Sequence, residues 1–70
     1  MNLWSFTFTN PSFHIGYARI AAETKLRAEA VEQESIGYVP SEKFPVIVAH
    51  MGRIEADREG VAQITLRRAQ

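Results

Sequence analysis

The segment Tyr17–Ser35 constrains the fold most, because it is the longest stretch of this sequence with a helical period. Its less polar side chains recur at spacings that place them on one side of an α-helix. Good helix formers fill most of the other positions, and Glu23 and Arg27 have the i, i+4 spacing of a helical ion pair. The pattern therefore predicts one long amphipathic helix. Its predicted buried stripe consists of Tyr17, Ile20, Ala21, Thr24, Ala28 and Val31.

The opposite side of the predicted helix is charged but contains one leucine. Leu26 points about 180° away from the buried stripe at the angular step of an α-helix, next to Ala22 and Ala30. Lone exposed apolar residues are common, so an ordinary solvated face is the default interpretation. The sharper interpretation is a partner-binding face, in which Ala22, Leu26 and Ala30 form a small apolar strip rimmed by glutamates, Glu29 and Glu34 among them.

The segment Leu3–Thr9 alternates apolar and hydroxyl side chains, which is the pattern of a β-strand with one buried face. Trp4, Phe6 and Phe8 share one face, and serine and threonine side chains occupy the other. Such a large aromatic face needs a cover. We expect the predicted helix to provide it.

The junction between this strand and the helix permits two interpretations. Asn10 is placed to cap a helix whose first residue is Pro11, a favoured arrangement, and we prefer this early helix. In the alternative, Asn10–Ser12 forms a turn and Phe13–Tyr17 is a second strand. Gly16 supports the alternative, because glycine in a helix interior costs about 1 kcal/mol relative to alanine. The element order is β-α-β-β in the first case and β-β-α-β-β in the second.

Two further strands are predicted in the C-terminal half. Phe44–Ala49 contains the continuous β-branched run Val46–Val48, which is typical of a central strand covered on both faces or of a strand at an interface. Residues 61–68 alternate in period two, and Asp57–Gly60 predicts a reverse turn. We therefore expect a β-hairpin with strands around residues 45–55 and 61–68.

The predicted elements combine into a single small α+β domain over residues 1–70. Gly37 is placed to end the helix, and Gly52 to form a bulge or bend in the strand that contains it. The fold we expect is an antiparallel-rich sheet of three to four strands with the long helix packed on one face.

Composition limits the classes of function. Lys and Arg number 8 and Asp and Glu number 8, so the formal net charge is zero, whereas a nucleic-acid binder relies on positive charge. The sequence has no cysteine, which fits a reducing compartment. No apolar run reaches the length of a membrane span, and no signal peptide is visible. We therefore expect a cytoplasmic protein that binds neither membranes nor, directly, nucleic acids.

The sequence contains no catalytic or cofactor-binding pattern. The histidines, His14 and His50, match no metal-binding motif in their spacing from acidic residues. The glycines are isolated from one another, so no phosphate-binding loop is formed, and no nucleophile elbow is present. We expect no enzymatic activity, no cofactor and no bound metal.

Two protein-interaction surfaces follow as hypotheses. The first joins the outer helix face to the arginines of the predicted hairpin, where charges of opposite sign would orient a protein partner. Its residues are Leu26, Glu29, Glu34, Arg53, Arg58 and Arg67. The second is a sheet edge, or the run Val46–Val48, through which the chain would form a homodimer or a larger homo-oligomer. Arg67 and Arg68 would instead protect an edge against such pairing.

The layout of LWSFTFT, YARIAAETKLRAEAVEQES and FPVIVA followed by a hairpin resembles that of small phage-encoded proteins that block host machinery, such as anti-CRISPR and host-takeover inhibitors. The resemblance concerns size, lack of cysteine and element order, and no motif carries it. It implies a compact, non-enzymatic α+β domain that binds a large host protein or nucleoprotein complex by one surface. It assigns no functional residue.

Overall fold

Four strands and one helix make up the part of the chain that the computed structural model describes, residues 1–10 and 14–68. The class is α+β, as predicted, and the element order is β-β-α-β-β. The helix has 11 residues and is therefore short, not long. The elements are β1 (Asn2–Phe8), β2 (His14–Ala22), α1 (Lys25–Ser35), β3 (Val46–Arg53) and β4 (Gly60–Arg68).

The four strands form one antiparallel sheet in the order β3-β1-β2-β4. The aromatic strand β1 is central, and Phe6 lies opposite Ala18 of β2 on one side and Val48 of β3 on the other. A register irregularity of the β1–β3 pair, between Leu3 and Trp4, lies opposite Gly52, whose φ is +112°. The predicted bulge or bend at that glycine is thereby confirmed.

The predicted helix was too long at its N-terminal end. The helix begins at Lys25, and the residues from Tyr17 to Ala22 belong to β2. Thr24, which was placed in the buried stripe, is instead the N-cap: its backbone is extended (φ −131°, ψ 162°), and its hydroxyl accepts a hydrogen bond from the Arg27 N–H at 3.1 Å. Threonine is among the preferred N-cap residues because its oxygen satisfies an otherwise unpaired amide of the first turn.

The strand β2 forms where a helix was preferred because its sequence fits both periods. Ala18, Ile20 and Ala22 alternate along the strand and are fully buried, and they are also good residues for a helix that packs closely. Pairing with β1 decides the outcome, since tertiary context overrides intrinsic propensity. Residues 14–17 follow the strand alternative, whereas Pro11, the predicted start of the early helix, lies outside the described residues.

The predicted C-terminal hairpin does not form. The strands β3 and β4 lie at opposite edges of the sheet, with β1 and β2 between them. The prediction of a central strand for Val46–Val48 is therefore wrong too, and Ile47 is 55% exposed. The aromatic β1 competes with β4 for pairing with β3, and it offers Phe6 and Phe8 as cross-strand partners for Val48 and Val46. Aromatic and β-branched residues form favourable cross-strand pairs.

The core lies between the sheet and α1. Phe6 and Phe8 are 1% exposed, as the alternation in β1 predicted. Trp4, on the same face, is half-buried, and its indole N–H donates to the Ala22 carbonyl at 3.1 Å. The small side chains of β2 and α1 leave room for the phenylalanine rings. The buried apolar cluster contains Phe6, Phe8, Ala18, Ile20, Ala22, Ala28 and Val31.

A buried glutamate holds the loop after the helix. Glu32 is 2% exposed, and its carboxylate accepts hydrogen bonds from the Tyr38 backbone N–H at 3.0 Å and from the Gln33 side chain at 2.8 Å. Gly37, at φ +74°, ends the helix as predicted and donates its N–H to the Glu32 carbonyl. The Tyr38 ring is thereby placed 5.1 Å from the Phe8 ring. The loop thus extends the cover over the aromatic face beyond the end of α1.

We predict that Glu32→Ala lowers the free energy of unfolding by about 1–3 kcal/mol, because the Tyr38 N–H loses its acceptor. Urea denaturation followed by tryptophan fluorescence measures the change. Glu32→Gln retains an acceptor oxygen and should lose less. If both variants were as stable as the wild type, the carboxylate would contribute nothing to holding the loop.

Candidate functional site

All four strands have an end at the same side of the sheet, and the helix starts there. Asn2, at the start of β1, lies opposite Ala22 at the end of β2 and Arg53 at the end of β3. Gly60, at the start of β4, pairs with Ala21. We call this side the helix-start end. The loop 54–59 and the first turn of α1 both belong to it.

The N-terminus ties these segments together. The Met1 amino group donates to the Ile54 carbonyl at 3.2 Å, and the Ile54 N–H donates to the Met1 carbonyl at 2.8 Å. The Asn2 side-chain amide donates to the Glu23 carbonyl at 2.9 Å. A surface depression results beside the N-terminus, and it is lined by Met1, Arg53, Ile54, Glu55, Ala56 and Asp57.

An ion pair links the first turn of α1 to Glu59, the residue that precedes β4. The Arg27 guanidinium binds the Glu59 carboxylate through two nitrogens, with Nε 3.1 Å from Oε2. The hydrogen bond from Arg27 lowers the pKa of the Glu59 carboxyl below its usual value, and the same bond raises the pKa of Arg27. Glu23, the expected partner of Arg27, precedes the helix and lies 4.0 Å from the Met1 amino group. The spacing rule failed because the helix starts later than predicted.

Leu26 projects from α1 on the side away from the sheet. It is 76% exposed, whereas the buried residues of α1 are Ala28, Val31 and Glu32. The Thr24 cap and the Arg27–Glu59 pair hold the turn that carries it. The helix-start end therefore presents a large apolar side chain on a fixed backbone, with charges of both signs around it.

The structure separates the six predicted partner-binding residues into groups. Leu26, Arg53 and Arg58 belong to the helix-start end. Glu34 lies eight residues after Leu26, about 12 Å farther along the helix axis. Glu29 is half-buried on the helix, between the two.

Arg67 lies far from the other two arginines of the predicted site. It is near the end of β4 and pairs with Ile15 of β2. At the rise of a β-strand, it is about 23 Å from the start of β4 at Gly60. The arginines therefore do not gather in one patch as the hairpin prediction implied, since the hairpin does not form.

His50 has structural neighbours in the sheet. Its ring centroid lies 4.9 Å from that of Trp4, and its Nε2 lies 3.1 Å from the Asn2 side-chain oxygen. Within residues 1–10 and 14–68, no three His, Asp or Glu side chains are grouped as a metal site would require. The same part of the chain contains no helix long and apolar enough to cross a membrane.

The sheet face opposite the helix carries a polar network near β4. The Arg19 guanidinium donates to the Gln63 side-chain oxygen at 3.4 Å, and the Gln63 amide donates to the Tyr17 hydroxyl at 3.3 Å. Arg19 also lies over the Tyr17 ring, 5.6 Å from its centroid. Toward β3, the same face exposes Ile47 and Ala49 and is less polar.

No protein-family model matches this sequence, and comparisons with curated proteins and with solved structures found no match.

We predict that Glu59→Gln destabilises the protein near pH 7 and that the difference from the wild type disappears in acid. Because Arg27 depresses the folded-state pKa of Glu59, the stabilisation is present above the unfolded-state pKa and is lost as pH falls through the folded-state value. Urea denaturation at pH 7 and at about pH 3 tests this. Exposed pairs are screened by salt, so added NaCl should also narrow the difference. A difference that persists in acid would contradict the role assigned to the ion pair.

Proposed function

We propose that this protein is a non-catalytic protein-binding module that engages a larger protein or nucleoprotein complex through the surface around Leu26, in the manner of small phage-encoded inhibitors. The observation that carries the proposal is the 76% exposure of Leu26 on a helix turn that a cap and an ion pair hold in place. A leucine side chain contributes about 1.5–3 kcal/mol when it is fully buried. An apolar residue already held on a rigid turn also loses little conformational freedom on binding.

Charge around Leu26 favours a protein partner over a nucleic acid. Lys25 and Arg27 adjoin it in sequence, Glu29 follows within one turn, and Glu59 contacts Arg27. Mixed signs suit a polar rim that orients a protein and excludes water from a central apolar contact. A nucleic-acid surface would instead need positive charge in excess, and the net charge of the chain is zero.

The depression beside the N-terminus, at the same end of the sheet as the first turn of α1, adds further polar groups. Arg53 and Asp57 line it, and Arg58 is an exposed neighbour in the same loop. These arginines supply donors for carboxylates of a partner, which Arg binds in a bidentate manner. We therefore assign Leu26 as the anchor and Arg53 and Arg58 as orienting contacts. We place the protein in the cytoplasm, which agrees with its lack of cysteine.

We predict that Leu26→Glu abolishes partner binding and changes the free energy of unfolding by less than about 0.5 kcal/mol, as expected for an exposed position. Tagged wild-type and variant proteins are used to capture partners from a lysate of the host cell, and retained proteins are compared by mass spectrometry. Val39→Glu is the matched control, because Val39 is 80% exposed and lies in the loop after the helix.

The expected result is a partner that the wild type and Val39→Glu retain and Leu26→Glu loses. Equal retention by both variants would remove the Leu26 surface from consideration. Unfolding of Leu26→Glu, seen by circular dichroism, would show that the leucine belongs to the core. Charge reversal at Arg53 and Arg58 should weaken the same binding without unfolding the protein.

A further inference from the structure

The strand β3 has a neighbour on one side only. It pairs with β1 and ends the sheet in the order β3-β1-β2-β4. Alternate backbone N–H and C=O groups of an edge strand point outward, where they can pair with another strand. The helix contacts β2 and β4, so it lies toward the β4 edge of the sheet, away from β3.

This edge lacks the usual protection against pairing. No charged residue occurs from Phe44 to Gly52, in a chain where 23% of residues are charged. Ile47 is 55% exposed and Met51 is 50% exposed. The two features that do protect edges, a proline and a bulge, lie at its ends: Pro45 precedes the strand, and the register shift falls next to Gly52. The regular segment Val46–His50 between them is bare.

The other edge strand, β4, differs in sequence. Its longest regular segment, Gln63–Arg68, includes two consecutive arginine positions, Arg67 and Arg68. Its register shifts near Ala62, opposite Arg19 and Ile20, so regular pairing is interrupted near the start of the strand. Charges and bulges within a strand are devices that discourage edge pairing. Of the two edges, β3 is therefore the one suited to a further strand.

We propose that the β3 edge binds a second copy of this chain, by antiparallel pairing of β3 with β3 about a two-fold axis near Ala49. The two four-stranded sheets would join into one sheet of eight strands. A two-fold arrangement places the same uncharged segment on both sides, so that no like charges face one another at its centre.

Charges at the ends of β3 complement each other in this arrangement. Antiparallel pairing brings the residues before β3 in one copy beside those after β3 in the other. Glu42 and Lys43 precede the strand, and Glu55 and Asp57 follow it. With the axis at Ala49, Lys43 of each copy lies at the level of Glu55 of the other, and Glu42 lies at the level of the uncharged Ala56. Opposite charges at the rim favour this register over slipped ones.

The size of the edge suggests a reversible dimer. The 8 residues of β3 span about 26 Å at 3.3 Å per residue. The helix contacts β2 and β4, so the contact at this edge is about one sheet deep and buries less than the roughly 1,000 Å² of most specific interfaces. We therefore expect a weak, reversible dimer with a dissociation constant below about 1 mM.

Sedimentation equilibrium of the wild type from about 1 μM to 1 mM tests the proposal, together with two matched variants. In this register Ile47→Lys places a lysine opposite Met51 of the second copy, where the charge would lose water on pairing, and should weaken the dimer by at least about tenfold. Thr65→Lys places a lysine on the β4 edge and on the same face of the sheet as Ile47, because Thr65 pairs with Tyr17, Tyr17 with Thr7 and Thr7 with Ile47; this variant should leave the dimer unchanged. Circular dichroism checks that both variants fold.

Cross-linking gives a second measurement if Ile47→Lys fails to fold. Because the chain has no cysteine, Ala49→Cys introduces a single thiol near the proposed axis. Residues opposite each other in an antiparallel pair have Cα atoms about 4.5–5.5 Å apart, so a short bis-maleimide should link Ala49→Cys into dimers. Ala62→Cys, on the exposed part of β4, is the control and should remain uncross-linked.

A wild type that stays monomeric at 1 mM would overturn the proposal. It would also be overturned if Thr65→Lys alone, both lysine variants or neither variant abolished association. Loss of association in the β4 variant alone would indicate pairing by β4, and loss in both variants would indicate head-to-tail pairing of β3 with β4. Association that survives in both variants would indicate a contact elsewhere. The proposal does not depend on the partner-binding function, because it rests on the uncharged edge Val46–His50 and not on Leu26; only Arg53, the last residue of β3, belongs to both surfaces.

Discussion

Phe6 and Phe8 extend from the central strand into the space between the sheet and α1, and each is 1% exposed. Their burial depends on pairing of β1 on both sides, with β2 and with β3. The alanines of β2 and α1 allow the sheet and the helix to pack closely. The loop after α1, which the Glu32 carboxylate holds at Tyr38, covers Phe8 beyond the end of the helix. A domain of this size buries a smaller share of its surface than a larger one, and these two rings are, with Ile20, the largest fully buried side chains of the described residues.

The central position of β1 determines where the surfaces of the molecule lie. Because β1 and β2 occupy the middle of the sheet, β3 and β4 become its edges. The helix covers the β2–β4 side, and its first turn presents Leu26 beside the loop 54–59. The β3 edge lies on the other side. Leu26 and the pairing edge are thus separate, whereas Arg53, the last residue of β3, belongs to both surfaces.

Local signals in the sequence predicted part of the candidate site. The exposure of Leu26 followed from its position on the helix, since the 100° step holds even though the helix starts later than expected. Arg53 and Arg58 were predicted to lie at the surface, and both are exposed. The pairing of Arg27 with Glu59 was missed, because the two residues are 32 positions apart and meet only when α1 packs beside the start of β4. Spacing rules within one helix contain no information about such a contact.

The sequence by itself determined those features that depend on neighbouring residues. These are the aromatic face of β1, the glycine that ends the helix at Gly37, and the α+β class. Tertiary structure alone decided that residues 17–22 are strand, because both periods fit so short a segment and pairing with β1 provides the difference in free energy. It also decided the edge position of β3. Two strands joined by a turn prefer each other locally, but β1 offers β3 a larger aromatic surface, and that non-local gain prevails.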